Sequence, residues 1–191
     1  MTTKENVKSN LLIDFLSKAR SSQLFWILTF AVFTFLGAQV AVPAQPVPFT
    51  LQTMIVLLSG AFLGSRNGAL SQIAYVLGGS LGLPIFSGFT FGFARLFGPT
   101  GGYLLAFPVA AFIVGLIIEK KSNALTISLS MIAGSLVILL SGASYLALFL
   151  NGNFSQALFT GAFIFSIWDV IKIAAAVSIY KAFSVKYPKL P

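Results

Sequence analysis

The sequence predicts an all-α integral membrane protein with six transmembrane helices and a glycine-rich outer loop between the third helix and the fourth. Of its 191 residues, 57% are hydrophobic and only 8% are charged, whereas about 25% of the residues of a soluble domain are charged. Four windows carry no charged residue: 21–65, 67–94, 96–118 and 122–168. Each is at least as long as the ~20 apolar residues that one helix needs to cross the hydrocarbon core. Together they leave room for six spans.

Proline, glycine and polar clusters divide these windows into helices. The proline-rich residues 42–48 end the first helix, because proline cannot continue the helical hydrogen-bond ladder. The sequence Ser65-Arg66-Asn67-Gly68 separates the second helix from the third, and Asn151-Gly152-Asn153 ends the fifth. The predicted spans cover residues 24–42, 50–64, 69–81, 101–118, 125–150 and 155–183.

The segment 82–103, GLPIFSGFTFGFARLFGPTGGY, has no helical or strand periodicity and lies between apolar runs. Irregular backbone at membrane depth persists only where it is buried in protein or lines a cavity, because no water is present to satisfy its free N–H and C=O groups. This segment is therefore the first place to expect a ligand.

Basic residues predict the orientation. If both termini are cytoplasmic, ten of the twelve Lys and Arg residues lie on the inner side, as the positive-inside rule requires. The remaining two are Arg95, in the outer loop, and Lys172, inside the last helix. We predict a cytoplasmic lead-in over residues 1–23 without the features of a signal peptide, a six-helix domain over 24–184 in the cell inner or plasma membrane, and a basic cytoplasmic tail over 185–191.

Composition also limits the chemistry. The chain has no cysteine and no histidine, which excludes disulfides, thiol nucleophiles, histidine bases and the usual zinc ligands. It has no GxxxxGK[ST] loop, so any ATP hydrolysis belongs to a partner subunit. We predict no enzymatic activity, no cofactor and no metal. The net charge of +8 does not indicate nucleic acid, because the basic residues lie at the ends of apolar segments next to membrane lipid.

Asp169 and Lys172 are the two ionisable residues placed deep in an apolar run. Three residues apart on a helix, they share a face and can pair. A charged group inside the membrane costs at least ~2.5 kcal/mol and normally faces a partner or a wet cavity. The pair therefore indicates a binding site, although a self-neutralising pair that only holds helices together is the alternative.

Further candidates lie in or near the irregular segment. Arg95 has a planar fork that suits a ligand carboxylate, but an interfacial arginine can equally pair with lipid headgroups. The sequence Gly98-Pro99-Thr100-Gly101-Gly102-Tyr103 brings backbone N–H groups and a helix start together, which suits a polar or anionic group. The predicted substrate-binding residues are Asp169, Lys172, Arg95, Gln52, Thr90, Phe91, Gly98, Thr100, Gly101 and Tyr103.

Four stretches together carry a family resemblance. VPFTLQT at 47–53, GAFLGSRNGALSQIAYVLGGSLGLPIFSG at 60–88 and GPTGGYLLAF at 98–107 precede Asp169 and Lys172 in the last helix. This succession resembles the BioY family, the biotin-binding S components of energy-coupling-factor (ECF) vitamin transporters. The resemblance implies six membrane helices and capture of biotin from outside, under the loop that follows the third helix.

The resemblance also implies roles and partners. Asp169 would accept the ureido N–H groups of biotin, Lys172 would donate to the ligand or keep Asp169 ionised, and the biotin carboxylate would point toward loop N–H groups or Arg95. Partners would be biotin and an ECF module with a transmembrane coupling protein and ATP-binding-cassette ATPases. The first helix has no clean AxxxA face, which leaves open a shared module, a dedicated one or none. An S component for another small vitamin and a non-transport membrane scaffold remain the alternative functions.

Overall fold

A computed structural model describes residues 22–187 and 189–191. The predicted lead-in over 1–23 lies outside the described residues except for its last two. The described part is mostly helical, and its α-helices are α1 (Gln23–Gln39), α2 (Gln52–Ser80), α3 (Gly101–Lys120), α4 (Ala124–Leu146), α5 (Phe154–Gly161) and α6 (Ser166–Ser184). The connections contain the 3-10 turns Ser87–Phe89, Phe93–Arg95, Ala147–Phe149 and Phe163–Phe165, and a short antiparallel ladder of β1 (Ala41–Val42) with β2 (Phe49–Thr50).

Helix α2 is a helical hairpin that reverses at Gly64. This glycine has φ 80° and ψ −179°, a left-handed conformation that is open to glycine and costly for residues with a Cβ. Beyond it the chain returns along itself: the Gln72 amide donates to Ser59 Oγ at 3.1 Å, and a Cβ on Gly68 would lie 2.7 Å from the Cα of Gly60. The two halves of α2 correspond to the second and third predicted helices.

The structure differs from the prediction in the position of the hairpin reversal and in a bend within the last predicted helix. The polar sequence at 65–68 is helical, because Gly64 alone makes the reversal. A continuous helix over 155–183 is wrong: α5 and α6 are bent by 45° at the intervening turn. At that break the carbonyl of Gly161 accepts a hydrogen bond from the Tyr103 hydroxyl at 2.6 Å, so a side chain of α3 satisfies a group that the interrupted helix leaves free.

Two of the described helical segments, Gly101–Lys120 and Ala124–Phe149, are long and apolar enough to cross a membrane, and the bent α5–α6 pair has the length and composition of a third span. Helix α1 is apolar but only 17 residues long, and it ends at Gln39, before the predicted residue 42, because the chain turns into β1.

An ion pair closes the end of the hairpin at Gly64. Lys189 Nζ lies 2.6 Å from Glu119 Oε1, and the other carboxylate oxygen of Glu119 accepts from Ser65 Oγ at 2.7 Å. The backbone N–H of Leu190 donates to the carbonyl of Phe62 at 2.8 Å. The C-terminal tail therefore lies against the hairpin turn.

Candidate functional site

A cavity of about 1110 Å³ lies at the open end of the hairpin, where the proline-rich segment 43–48, the segment 86–100, α3 and the start of α6 converge. Its volume is slightly above the ~300–1,000 Å³ of most small-molecule sites. Eight of the predicted site residues line it: Gln52, Thr90, Arg95, Gly98, Thr100, Tyr103, Asp169 and Lys172.

The bend before α6 places Asp169 at the buried end of this cavity. Because α6 begins at Ser166, Asp169 lies in its first turn, where the positive end of the helix dipole stabilises a carboxylate. Only 5% of Asp169 and 8% of Lys172 is exposed, and Lys172 Nζ lies 2.6 Å from Asp169 Oδ1. Burying a charged group in an apolar surrounding is costly, and the pairing of the two opposite charges offsets that cost.

The ammonium group of Lys172 is fully engaged by the protein. Besides Asp169, it donates to Thr53 Oγ1 at 2.6 Å and to the backbone carbonyl of Thr50 at 3.3 Å. A lysine ammonium has three N–H donors, and three acceptors surround this one. The lysine therefore holds Asp169 and the start of α2 together.

The second carboxylate oxygen of Asp169, Oδ2, is not engaged in the way that Oδ1 and the Lys172 ammonium are. Among the buried side-chain nitrogen and oxygen atoms of the described residues, Asp169 Oδ2 is the one that has no hydrogen-bond partner. Buried polar atoms are nearly always hydrogen-bonded, and an unpartnered carboxylate oxygen is especially costly. Since Asp169 lines the cavity, this oxygen is poised to accept a hydrogen bond from a donor that enters the cavity.

Gln52 lines the cavity, but its amide serves the fold. Its Oε1 accepts from Thr50 Oγ1 at 3.0 Å, and its Nε2 donates to the Tyr75 hydroxyl at 2.6 Å. Tyr75 in turn donates to the carbonyl of Ile85 at 3.1 Å. This chain ties the start of α2 to the segment that follows the hairpin, so Gln52 positions two walls of the cavity.

Arg95 lies where the cavity reaches the surface. It is exposed, it lines the cavity, and no hydrogen bond or ion pair joins its guanidinium to any residue that the structure describes. Thr90 also lines the cavity, and its hydroxyl donates to the carbonyl of Ser87 at 3.0 Å. A free cation thus marks the outer end and a free carboxylate oxygen marks the buried end.

Two predicted site residues lie outside the cavity lining. Phe91 is 58% exposed and does not line the cavity. Gly101 is buried where α3 begins, its N–H donates to the carbonyl of Gly98 at 2.9 Å, and a Cβ there would collide with the carbonyl oxygen of Leu96. Close packing against Leu96 accounts for the glycine at this position.

Sequence reasoning missed the proline-rich wall, Thr53 and the aromatic side chains Phe107 and Phe165. The wall could have been found, because residues 43–48 are irregular backbone between apolar segments, the same signal that singled out residues 82–103. Phe165 belongs to the unpredicted break in the last helix, and its ring packs 4.2 Å from that of Phe49, measured between centroids.

These features define a helical protein with segments long and apolar enough to span a membrane and with a ligand-sized cavity that bears a buried, paired carboxylate. The sequence model of the BioY family matches residues 6–189, nearly the whole chain, and the chain belongs to the BioY family.

Curated relatives and a solved structure agree with this assignment. The chain is 41% identical over 160 residues to a "Probable biotin transporter BioY" from Pyrococcus horikoshii, covering 84% of this chain and 94% of the relative. It is 39% identical over 147 residues to the "Biotin transporter BioY" of Thermotoga maritima, with 77% and 86% coverage. A crystal structure of "the S-component for biotin from an ECF-type ABC transporter" matches with a TM-score of 0.80 over 97% of this chain and 95% of that one, at 24% identity. The predicted family is confirmed, and the solved structure confirms the fold.

Proposed function

We propose that the protein captures biotin and serves as the substrate-binding S component of an ECF-type transporter. The observation that carries this proposal is the unpartnered, buried Oδ2 of Asp169 in a cavity of ligand size. Biotin's ureido group offers two N–H donors, which a carboxylate recognises through charge-assisted hydrogen bonds. The names of the curated relatives and of the solved structure support the same ligand.

The placement of the ligand follows from the two ends of the cavity. The ureido ring lies against Asp169. The fused sulfur-containing ring and the valeryl chain lie on Phe107, Leu139 and Phe165, which line the cavity. The biotin carboxylate points to Arg95. Of the two roles considered for Lys172, the contacts support keeping Asp169 ionised, because its donors are already engaged by the protein.

The chain has no catalytic role in this proposal. Uptake requires a transmembrane coupling protein and ATPases supplied by partner subunits, because binding alone moves no solute against a gradient. The two halves of α2 provide two spans, which with α1, α3, α4 and the bent α5–α6 pair give six in the cell membrane. Both termini then lie in the cytoplasm, and the segment 82–100 lies outside.

Calorimetric titration of the purified protein in detergent with biotin, thiamine and riboflavin tests the substrate. We expect one biotin to bind per chain and no heat from the other two vitamins, since neither offers a cyclic urea together with a carboxylate. Binding of another vitamin alone would establish the alternative S-component function. A folded sample that binds none of the three would contradict the biotin proposal and leave both alternatives, another small vitamin and the scaffold function.

Arg95→Gln is expected to lower the affinity for biotin by a factor of about 1.4 to 5. An exposed ion pair contributes roughly 0.2–1 kcal/mol, and Arg95 is exposed. The affinity for biotin methyl ester, which has no carboxylate, should remain unchanged, and calorimetry on both ligands at low salt measures the difference.

Arg66→Gln is the matched control, because Arg66 is an exposed arginine near the hairpin turn and does not line the cavity. It should leave both affinities unchanged. An equal loss for biotin and its methyl ester in the Arg95 variant would show that Arg95 does not meet the carboxylate.

The proposed topology predicts opposite labelling of two exposed serines. The chain has no native cysteine, so Ser155→Cys and Ser122→Cys each introduce a single thiol at an exposed position. In intact cells a membrane-impermeant maleimide should label the residue-155 variant, which lies outside, and should label the residue-122 variant only after permeabilisation. The reverse pattern would invert the orientation, and labelling of both in intact cells would contradict the span count.

A further inference from the structure

We propose that Thr53 recognises the carbonyl oxygen of the ligand's ureido group and thereby selects ligands in which a C=O lies beside an N–H. This inference rests on the proposed function. It names a donor that complements the acceptor Asp169, and it assigns to Thr53 the discrimination between a cyclic urea and ring systems that lack the carbonyl oxygen.

The first step is the hydrogen-bond inventory of Thr53 itself. Its Oγ1 accepts from Lys172 Nζ at 2.6 Å. A hydroxyl group has one donor in addition to its acceptor lone pairs, and no acceptor for the Thr53 hydroxyl is found among the residues that the structure describes. Thr53 is half-buried and lines the cavity, so its O–H is available to a ligand.

The hydroxyl and ammonium donors that neighbour Thr53 are already used. The Thr50 hydroxyl donates to Gln52 Oε1, the Tyr103 hydroxyl donates to the carbonyl of Gly161, and one N–H of the Gln52 amide donates to Tyr75. The ammonium of Lys172 has three acceptors of its own. Among the described groups that bond the Lys172 ammonium, the one with an unused donor is the Thr53 hydroxyl.

Thr53 and Asp169 meet at the same ammonium group. Thr53 Oγ1 and Asp169 Oδ1 each lie 2.6 Å from Lys172 Nζ, so the hydroxyl with its unused O–H and the carboxylate with its unpartnered Oδ2 belong to one cluster in the cavity wall. A cyclic urea presents an N–H directly beside its C=O. An acceptor and a donor held side by side can bond both groups at once, and a site built to bond a polar group rejects analogues that lack it.

Two variants and two ligands test this inference. The variants are Thr53→Val, which keeps the branched shape without the hydroxyl, and Thr53→Ser, which keeps the hydroxyl. The ligands are biotin and 2-iminobiotin, a cyclic guanidinium at neutral pH that carries an N–H donor where biotin has the ureido C=O. We expect the preference of the wild-type protein for biotin over 2-iminobiotin to fall about tenfold in Thr53→Val, because the carbonyl oxygen loses its donor, and to persist in Thr53→Ser.

The ratio of the affinity for biotin to the affinity for 2-iminobiotin distinguishes ligand recognition by Thr53 from a structural role. Thr53→Val also removes an acceptor of Lys172, and a merely structural role would weaken both ligands equally and leave the ratio unchanged. An unchanged ratio in Thr53→Val, or a loss in Thr53→Ser as large as in Thr53→Val, overturns the inference while leaving biotin as the substrate. Wild-type protein that does not bind biotin overturns the proposed function as well.

A measurement on the unmodified protein covers the case in which Thr53→Val does not fold. Infrared spectroscopy of bound biotin labelled with ¹³C at the ureido carbon reports whether the carbonyl is hydrogen-bonded. We expect its stretching band to lie at lower frequency than that of the same biotin in an aprotic solvent. A band at the aprotic position shows a carbonyl without a donor and overturns the inference.

Discussion

Asp169→Asn is expected to lower the affinity for biotin at least a hundredfold. The substitution replaces a charged acceptor by a neutral amide, and hydrogen bonds to charged groups contribute about 1.5–3 kcal/mol each. It also leaves Lys172, only 8% exposed, without its counter-charge, which adds the penalty of an unpaired buried ion. Calorimetric titration of the purified variant in detergent measures the loss.

Glu119→Gln is the matched control for Asp169→Asn, since both substitutions neutralise a carboxylate that pairs with a lysine at 2.6 Å. Glu119 lies at the hairpin turn and outside the cavity lining, so its variant should bind biotin as the wild type does. Unchanged binding in Asp169→Asn would contradict the proposed site.

The double variant Asp169→Asn/Lys172→Met separates a binding role from a structural one. It removes both charges, so no buried ion remains unpaired, and we expect it to fold and to fail to bind biotin. A scaffold whose charged pair serves only to neutralise itself would retain its function in this double variant. The apparent melting temperature in detergent confirms that each variant is folded before its binding is compared.

Gly60→Ala is expected to lower the apparent melting temperature by about 6–12 °C. A Cβ at Gly60 would collide with the backbone carbonyl of Ala111 on α3, while Gly68 of the same hairpin lies on its other side. The backbone on either side cannot move as a side-chain tip can, so we expect the upper end of the usual overpacking cost of about 1–3 kcal/mol. For a chain of this size that cost corresponds to the stated shift.

The same substitution at Gly78 provides the control. There a Cβ would meet only the side-chain tips of Leu83 and Ile85, at 3.2 and 3.3 Å, which can shift. Because alanine favours a helix over glycine by about 1 kcal/mol, Gly78→Ala should leave the melting temperature unchanged or raise it. A fall at Gly78 equal to that at Gly60 would contradict the packing account of the hairpin.

The positions of the helices were largely predictable, because each follows from the apolar, polar and proline residues of its own stretch of sequence. Apolar runs between polar or proline-rich stretches located the helical regions of the described chain, except that α5 and α6 were predicted as one helix, and the motifs around GPTGGY identified the family. The exact reversal at Gly64 was not predictable, since Ser65-Arg66-Asn67-Gly68 carries the stronger turn signal. Only the tertiary contacts of Gly60 and Gly68 show where the two halves meet.

The candidate site was predictable in its charges and not in its hydrogen bonds. Spacing alone pairs Asp169 with Lys172, but it cannot show that Lys172 is saturated or that one oxygen of Asp169 is free. Both facts depend on how α6 is placed after the break, with Lys172 against Thr50 and Thr53. No sequence signal at 162–165 marks that break, because these apolar residues would also suit a continuous helix.

A crystal structure of the protein with biotin tests the central claim most directly. The account predicts the ureido ring at the buried end of the cavity, with one N–H within hydrogen-bond distance of Asp169 Oδ2 and the carboxylate toward Arg95. Biotin bound with its ureido ring away from Asp169, and with Oδ2 still unpartnered, would contradict it.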